Sequence, residues 1–167
     1  MPEQKIIVIN TGPLIAITAG LGNLAVLKVL YETVYVPFEV CEEMRGGGSR
    51  RFAAEQFEQA VWLHKLTEPL ETTPFLKNSL DQGEASVIQL ALNNGIKTVC
   101  GDEAVGRHVA RLCGLSVTGS IGILLRAHKE GFPFNMREAI NRMLQKGVWL
   151  SERVIALALR EAGEGVS

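Results

Sequence analysis

Lys5-Ile6-Ile7-Val8-Ile9, running straight into Asn10-Thr11-Gly12-Pro13, decides how the rest of the chain is read. The first five residues form a continuous, β-branched apolar run without alternation, the pattern of a strand covered on both faces. Asn10 or Thr11 then offers a helix cap, and Pro13 suits a first helical turn. A doubly covered strand feeding directly into a helix is the opening of a parallel βαβ unit.

The same alternation recurs outward from that stretch. Thr33-Val34-Tyr35-Val36 reads as a second strand, stopped by Pro37, and Val61 to Leu66 as a short edge strand. Lys97-Thr98-Val99-Cys100 is closed by Gly101-Asp102, and Leu115-Ser116-Val117 follows as the last strand. Helices are expected over Leu14 to about Ala19, Leu24 to Leu30, Phe38 to Met44 and Phe52 to Gln59. Further helices run from Leu80-Asp81-Gln82-Gly83-Glu84 to Asn93-Asn94-Gly95, from Glu103 to Cys113, and from Ser120 to Lys129. Phe134 to Gln145 and Ser151 to Ala162 complete the set. The expectation is a three-layer α/β/α fold around a mainly parallel sheet of about four or five strands, with the Ile6 and Val99 strands near its centre. Residues 1–167 read as one domain, with the helices from about 134 appended to it.

Composition excludes several classes. The chain is 47% hydrophobic and carries a formal net charge of −1, so it shows neither the signature of disorder nor a strong basic excess. Cys41, Cys100 and Cys113 form no CxxC pair and read as small thiols of a reducing cytoplasm rather than a zinc site or a disulfide framework. No apolar run reaches the ~18 residues of a membrane span, so a soluble, cytoplasmic protein is expected.

In open parallel sheets ligands bind beyond the carboxyl ends of the strands. Asn10 and Thr11 follow the first strand there, Asp102 and Glu103 follow the Val99 strand, Glu43 lies on the helix after the second strand, and Glu84 sits in the first turn of its helix. Each has a structural explanation. Asn10, Thr11 or Asp102 alone is a helix cap, Glu43 a solvated helix end, and Asp81 with Glu84 an N-cap and N3 pair. Converging oxygen donors at one sheet end also fit Mg²⁺ or Mn²⁺.

These segments resemble the PIN-domain proteins, in particular a prokaryotic subfamily of predicted nucleic-acid-binding proteins. The resemblance rests on Val8-Ile9-Asn10-Thr11-Gly12-Pro13-Leu14-Ile15, Val36-Pro37-Phe38-Glu39-Val40-Cys41-Glu42-Glu43 and Leu80-Asp81-Gln82-Gly83-Glu84-Ala85. It continues in Gly101-Asp102-Glu103-Ala104-Val105-Gly106-Arg107 and in Leu115-Ser116-Val117-Thr118-Gly119-Ser120-Ile121-Gly122-Ile123-Leu124. It implies a PIN-like fold and a metal-dependent endoribonuclease, a hydrolase that uses Mg²⁺ or Mn²⁺. The family's acidic positions map onto Asn10, Glu43, Glu84 and Asp102, with Glu103 adjacent as a further metal ligand and Thr11 at the small hydroxyl position. Active PIN nucleases usually carry Asp where this chain has Asn10, which offers a carbonyl oxygen without charge. The partners implied are RNA, an antitoxin protein if the chain is a toxin, and a second copy. The alternative class is a nucleic-acid- or protein-binding module that has kept the fold and lost the chemistry.

Secondary candidates surround this set. Arg45, Arg50 and Arg51 flank Gly46-Gly47-Gly48-Ser49, read as a flexible loop able to meet an RNA backbone. Arg107 reads as a further candidate substrate contact, with Thr11 and Ser120. Gly119-Ser120 opens a helix whose backbone N–H groups suit a phosphate or simply tight packing. His64, His108 and His128 show no ligand spacing. Val148, Trp149, Leu150, Ile155 and Leu157 form a prospective dimer patch, and Trp62 and Trp149 read as core or interface residues rather than base-stacking platforms.

Overall fold

A computed structural model describes residues 5–46 and 50–164; Gly47, Gly48 and Ser49 of the glycine loop lie outside the described residues. Strand β1 (Ile6–Ile9) is the centre of a five-stranded sheet. On one side it pairs with β2 (Thr33–Val36), which carries β3 (His64–Lys65) at the edge. On the other it pairs with β4 (Thr98–Cys100), which carries β5 (Ser116–Thr118). All four pairings are parallel, in the order β3-β2-β1-β4-β5. Ile7, Val8 and Ile9 have no exposed surface, as their unalternating pattern requires. The chain winds outward from β1 to β2 and then, on the other side, from β4 to β5. The strand order therefore reverses between β1 and β4, where open α/β sheets form their ligand crevice.

Helix α1 (Thr11–Leu21) follows β1 and is buried from Pro13 to Gly20. It runs beyond the expected end near Ala19 because Gly20 leaves room for a neighbour. A Cβ there would lie 3.1 Å from Met143 Cγ. Gly22, with φ of 85°, ends the helix in the left-handed conformation that glycine adopts without penalty. Helices α2 (Ala25–Leu30), α3 (Phe38–Arg45) and α4 (Arg51–Gln59) precede β3. The edge strand is shorter than the Val61 to Leu66 reading, with only two residues meeting β2 in register.

Helix α5 (Pro74–Ser79) has no counterpart in the sequence reading. Thr73 caps it with an acceptor for the Leu76 N–H, and Pro74 fills its first turn. Helix α6 (Gln82–Asn94) leads to β4 and α7 (Ala104–Leu112) to β5. Helices α8 (Ser120–Lys129), α9 (Met136–Gln145) and α10 (Glu152–Glu161) complete the described chain. Helix α9 starts two residues later than Phe134, because Asn135 is its cap and accepts from the Glu138 N–H at 2.9 Å.

Helix α1 faces two clusters. Leu14 and Ile17 join the main core against the sheet, while Ala16 and Ala19 meet Met136, Ala139, Ile140 and Met143 of α9. Arg142 Nε also donates to the Gly20 carbonyl at 2.7 Å. The C-terminal helices thus brace the helix whose first residues stand at the sheet's carboxyl end. Because both clusters share α1, unfolding is expected to be one cooperative transition. Met143→Ala, at a site with no exposed surface, is expected to lower stability by about 2–5 kcal/mol with an unchanged slope against urea. Leu144→Ala, on the solvent side, should cost less than about 1 kcal/mol. Two separate transitions in urea would show instead that α9 and α10 fold apart from the sheet.

Candidate active site at the carboxyl end of the sheet

Backbone pairing continues one residue beyond the strands. Asn10 N–H donates to the Cys100 carbonyl and Gly101 N–H to the Thr118 carbonyl, each at 3.0 Å. Asn10, Gly101-Asp102 and Gly119-Ser120 are therefore held side by side at the topological switch point. Asn10 is the N-cap of α1, its Oδ1 accepting from the Thr11 N–H at 2.8 Å. Thr11 Oγ1 donates to Glu43 Oε2 at 2.8 Å, tying α3 to the start of α1. Asp81 Oδ1 accepts from the Glu84 N–H at 2.8 Å and caps α6.

Three glycines give the acidic side chains their space. A Cβ on Gly83 would collide with Glu43 Oε1 and lie 3.3 Å from Asn10 Oδ1. One on Gly106 would collide with Glu84 Oε2. One on Gly119 would lie 2.6 Å from Asp102 Oδ1 and 2.9 Å from Arg107 Nη1. Asp102 does not cap the helix that follows it, one of the roles read for it from the sequence. That N-cap is Glu103, which makes no side-chain capping bond. Asp102 Oδ1 instead accepts from the Ser120 N–H at 2.8 Å and anchors the start of α8.

Electrostatics distinguish the acids. Glu84 Oε2 is buried without a hydrogen-bond partner. Burial pushes the Glu84 carboxyl up to about 7, and the neighbouring charges of Asp81 and Glu103 push in the same direction. Burial also raises Glu43, opposed by the Thr11 hydroxyl and reinforced by Asp81. Asn10, Glu84, Glu103 and Arg107 line one side of a cavity of about 20 Å³, and Val87, Ile88, Val99 and Val117 make its apolar walls; it has room for one water or one small ion. Arg107 Nη1 donates to the Gly101 carbonyl at 2.8 Å, which fixes the guanidinium at the cavity's edge.

The fold links Asn10, Thr11 and Glu43 in one chain of contacts, and sets Asn10, Glu84, Glu103 and Arg107 around one cavity. Asp102 and Ser120 border a second, larger groove that Arg107 also lines. Arg45 faces elsewhere, bonded to Glu58 at 3.0 Å and near Glu42 at 3.7 Å. Arg50 is exposed before α4, and Arg51 pairs with Glu55. Among the described residues no three His, Cys, Asp or Glu side chains form a group able to hold a metal ion. The sequence reading missed the spacing glycines. The available signal was their position beside the acids, Gly83 next to Glu84 and Gly106 one turn after Glu103. Of the two settings read for Trp149, core or interface, the core is ruled out, because the residue is 83% exposed.

An all-parallel sheet covered by helices, with acidic side chains at its switch point, is a three-layer α/β/α architecture. A PIN-domain family model matches residues 6–164, and the chain belongs to that family. Neither the curated proteins nor the solved structures yielded a match. No helix among the described residues is long and apolar enough to cross a membrane.

The raised Glu84 carboxyl sets a pH dependence. The folded state holds this proton more tightly than the unfolded chain, whose Glu titrates near the ordinary 4.5. The stabilisation is full below 4.5, is lost as pH rises through about 7, and is level above that. In EDTA, melting temperatures between pH 4 and 8 are expected to fall more steeply for the wild type than for Glu84→Gln, which keeps the shape and removes the titration. Parallel curves would show that Glu84 is not the group responsible.

Proposed function

We propose that the chain is a divalent-metal-dependent endoribonuclease that hydrolyses RNA phosphodiesters at the carboxyl end of its sheet. The observation that carries the reading is Glu84 Oε2, a buried carboxylate oxygen without a partner beside a cavity of single-ion size. The ligands read there, Asn10, Glu84 and Glu103, offer oxygen, which suits Mg²⁺ or Mn²⁺. Mg²⁺ is usually held by one or two carboxylates and several waters, so a group of three acids is not a precondition. Glu84, the amide oxygen of Asn10 and the adjacent Glu103 line that cavity and would hold the ion, while Glu43 and Asp102, outside its lining, would act through waters on the ion. When bound, such an ion activates water and stabilises the charge that develops on a phosphate.

The chain's own groups supply the rest. Thr11 holds the Glu43 carboxylate by its hydroxyl hydrogen bond. Arg107, fixed on the Gly101 carbonyl, presents positive charge where a phosphate would lie. The amino terminus of α8, held by Asp102, adds its dipole at the same edge. An antitoxin that covered this cavity would make the chain one half of a toxin–antitoxin pair.

Asn10 favours the second reading, a module that binds RNA or a partner without cleaving. Its oxygen is neutral and already accepts from the Thr11 N–H. Incubation of mixed RNA with Mn²⁺ separates the two. Cleavage is expected, abolished by EDTA and reduced at least about a hundredfold by Asp102→Ala. Asn10→Asp restores a charge and is expected to tighten Mn²⁺ binding on the order of tenfold by calorimetry, with activity rising in step. Binding without cleavage in both proteins would establish the module instead.

Metal binding to the folded state alone also predicts a thermal shift. Millimolar Mn²⁺ should raise the melting temperature of the wild type, and Glu84→Gln should blunt the rise. Gly106→Ala should blunt it too, because the added methyl displaces Glu84. Loss of charge at Glu161, at the end of α10, should leave it intact. Equal shifts in wild type and Glu84→Gln would place the ion elsewhere.

A further inference from the structure

Trp149 lies between α9 and α10 and is 83% exposed. A single exposed aromatic side chain requires no explanation by itself. This one borders a groove of about 500 Å³ that Asp102, Arg107 and Ser120 also line, with Leu125 and Leu157 among its apolar walls. Arg107 lines both this groove and the small cavity of Asn10 and Glu84. The guanidinium therefore stands where the small cavity and the aromatic groove adjoin, and their lining residues form one tract along the carboxyl edge of the sheet.

That tract has the two chemistries of a nucleotide in sequence. The Arg107 guanidinium suits an anionic phosphate, whereas the Ser120 N–H at the start of α8 is already taken by Asp102 Oδ1. The indole and the aliphatic walls suit a flat apolar face of the size of a base, and 500 Å³ accommodates one. We propose that this groove is a nucleobase subsite, in which an unpaired base of a single-stranded RNA stacks on Trp149 beside the phosphate held at Arg107. The inference rests on the nuclease reading for the position of that phosphate. Stacking of this kind tolerates any base, because every base presents a π-face. A base inside a duplex has both faces covered by its neighbours, so the subsite selects single strands. A second copy of the chain suits the groove less well. Interface cores are depleted of charge, and here Asp102 and Arg107 stand among the lining residues.

Binding can be read without metal, which separates this inference from the catalytic one. The chain has two tryptophans, and Trp62 is half-buried in a different cavity, with Lys5 and Val34 at the amino end of the strands. In Trp62→Phe, Trp149 is the sole indole reporter. With EDTA present, a single-stranded oligoadenylate is expected to quench its emission saturably. The same strand in a duplex and an abasic sugar-phosphate strand should not. By anisotropy of a labelled oligoadenylate, Trp149→Ala is expected to bind roughly tenfold or more weakly, with most of the loss recovered in Trp149→Phe. Its melting temperature should stay close to wild type. Equal quenching by the abasic strand, unchanged affinity in Trp149→Ala, or no saturable binding in EDTA would overturn the subsite, whatever cleavage occurs in Mn²⁺. A dimeric mass by light scattering that reverts to a monomer in Trp149→Ala would overturn it in favour of an interface between copies. Quenching that persists in a protein unable to cleave would uphold the subsite and refute the nuclease reading alone.

Discussion

The Asn10 N–H bonds the Cys100 carbonyl at 3.0 Å, one residue past the end of β1, and the candidate site depends on that extension of the ladder. Without it the first loop would leave the sheet at Ile9, with a peptide N–H to satisfy at a cost of about 1–3 kcal/mol if buried. With it, Asn10 is held against the end of β4. The bond from Gly101 N–H to the Thr118 carbonyl repeats the device one strand further on. Two backbone bonds thereby bring residues distant in the chain to one edge, before any side-chain interaction contributes. They act where the strand order reverses, the place at which neighbouring loops diverge and leave a crevice.

Acidic side chains gathered at such an edge repel one another, and the fold moderates the repulsion. Asn10, Asp81 and Asp102 each accept a backbone N–H at the start of a helix, α1, α6 and α8 respectively. The positive ends of those helix dipoles therefore point toward the acids. Glu84 is the exception. Its backbone N–H is satisfied by Asp81, but its Oε2 has no partner, and its carboxyl rises to about 7. A carboxylate left in this state gains from any cation that reaches it. Gly106 preserves the space that keeps the oxygen there. Under the proposed function, the same desolvation that costs stability above neutral pH makes the site receptive to a metal ion.

Much of this was legible in the sequence because strand burial and helix capping leave local marks. The unalternating Ile6 to Ile9 placed β1 at the centre, and Gly101-Asp102 marked the end of β4. Asp81 followed three residues later by Glu84 announced the start of α6. What stayed hidden was non-local. Nothing near Asp102 in the chain says that it will anchor Ser120, eighteen residues on. Helix α5 was missed because its six residues are too few to show a period, and its cap is a lone Thr73. The edge strand β3 was overextended because apolar residues at Val61 and Leu63 suggest a strand, although Val61 faces solvent and Leu63 fills the core from a turn. Residue type alone left Trp149 between core and interface, and only the fold shows that it stands outside the core.

Position 10 shows how the charge of such a site is separable from its scaffold. Asn and Asp are nearly equal as N-caps, so the start of α1 forms with either. The bond from the Thr11 N–H needs only an oxygen at Oδ1. The net charge at the sheet edge therefore changes by one with little consequence for folding. Glu43, Glu84 and Asp102 are less free: Glu43 is bonded to Thr11 and Asp102 to Ser120, and Glu84 fills the space that Gly106 leaves. Removing any of them disturbs packing as well as charge. A chain whose acidity at this edge is to be adjusted, whether toward tighter metal binding or toward silent binding of RNA, has its least costly adjustment at Asn10.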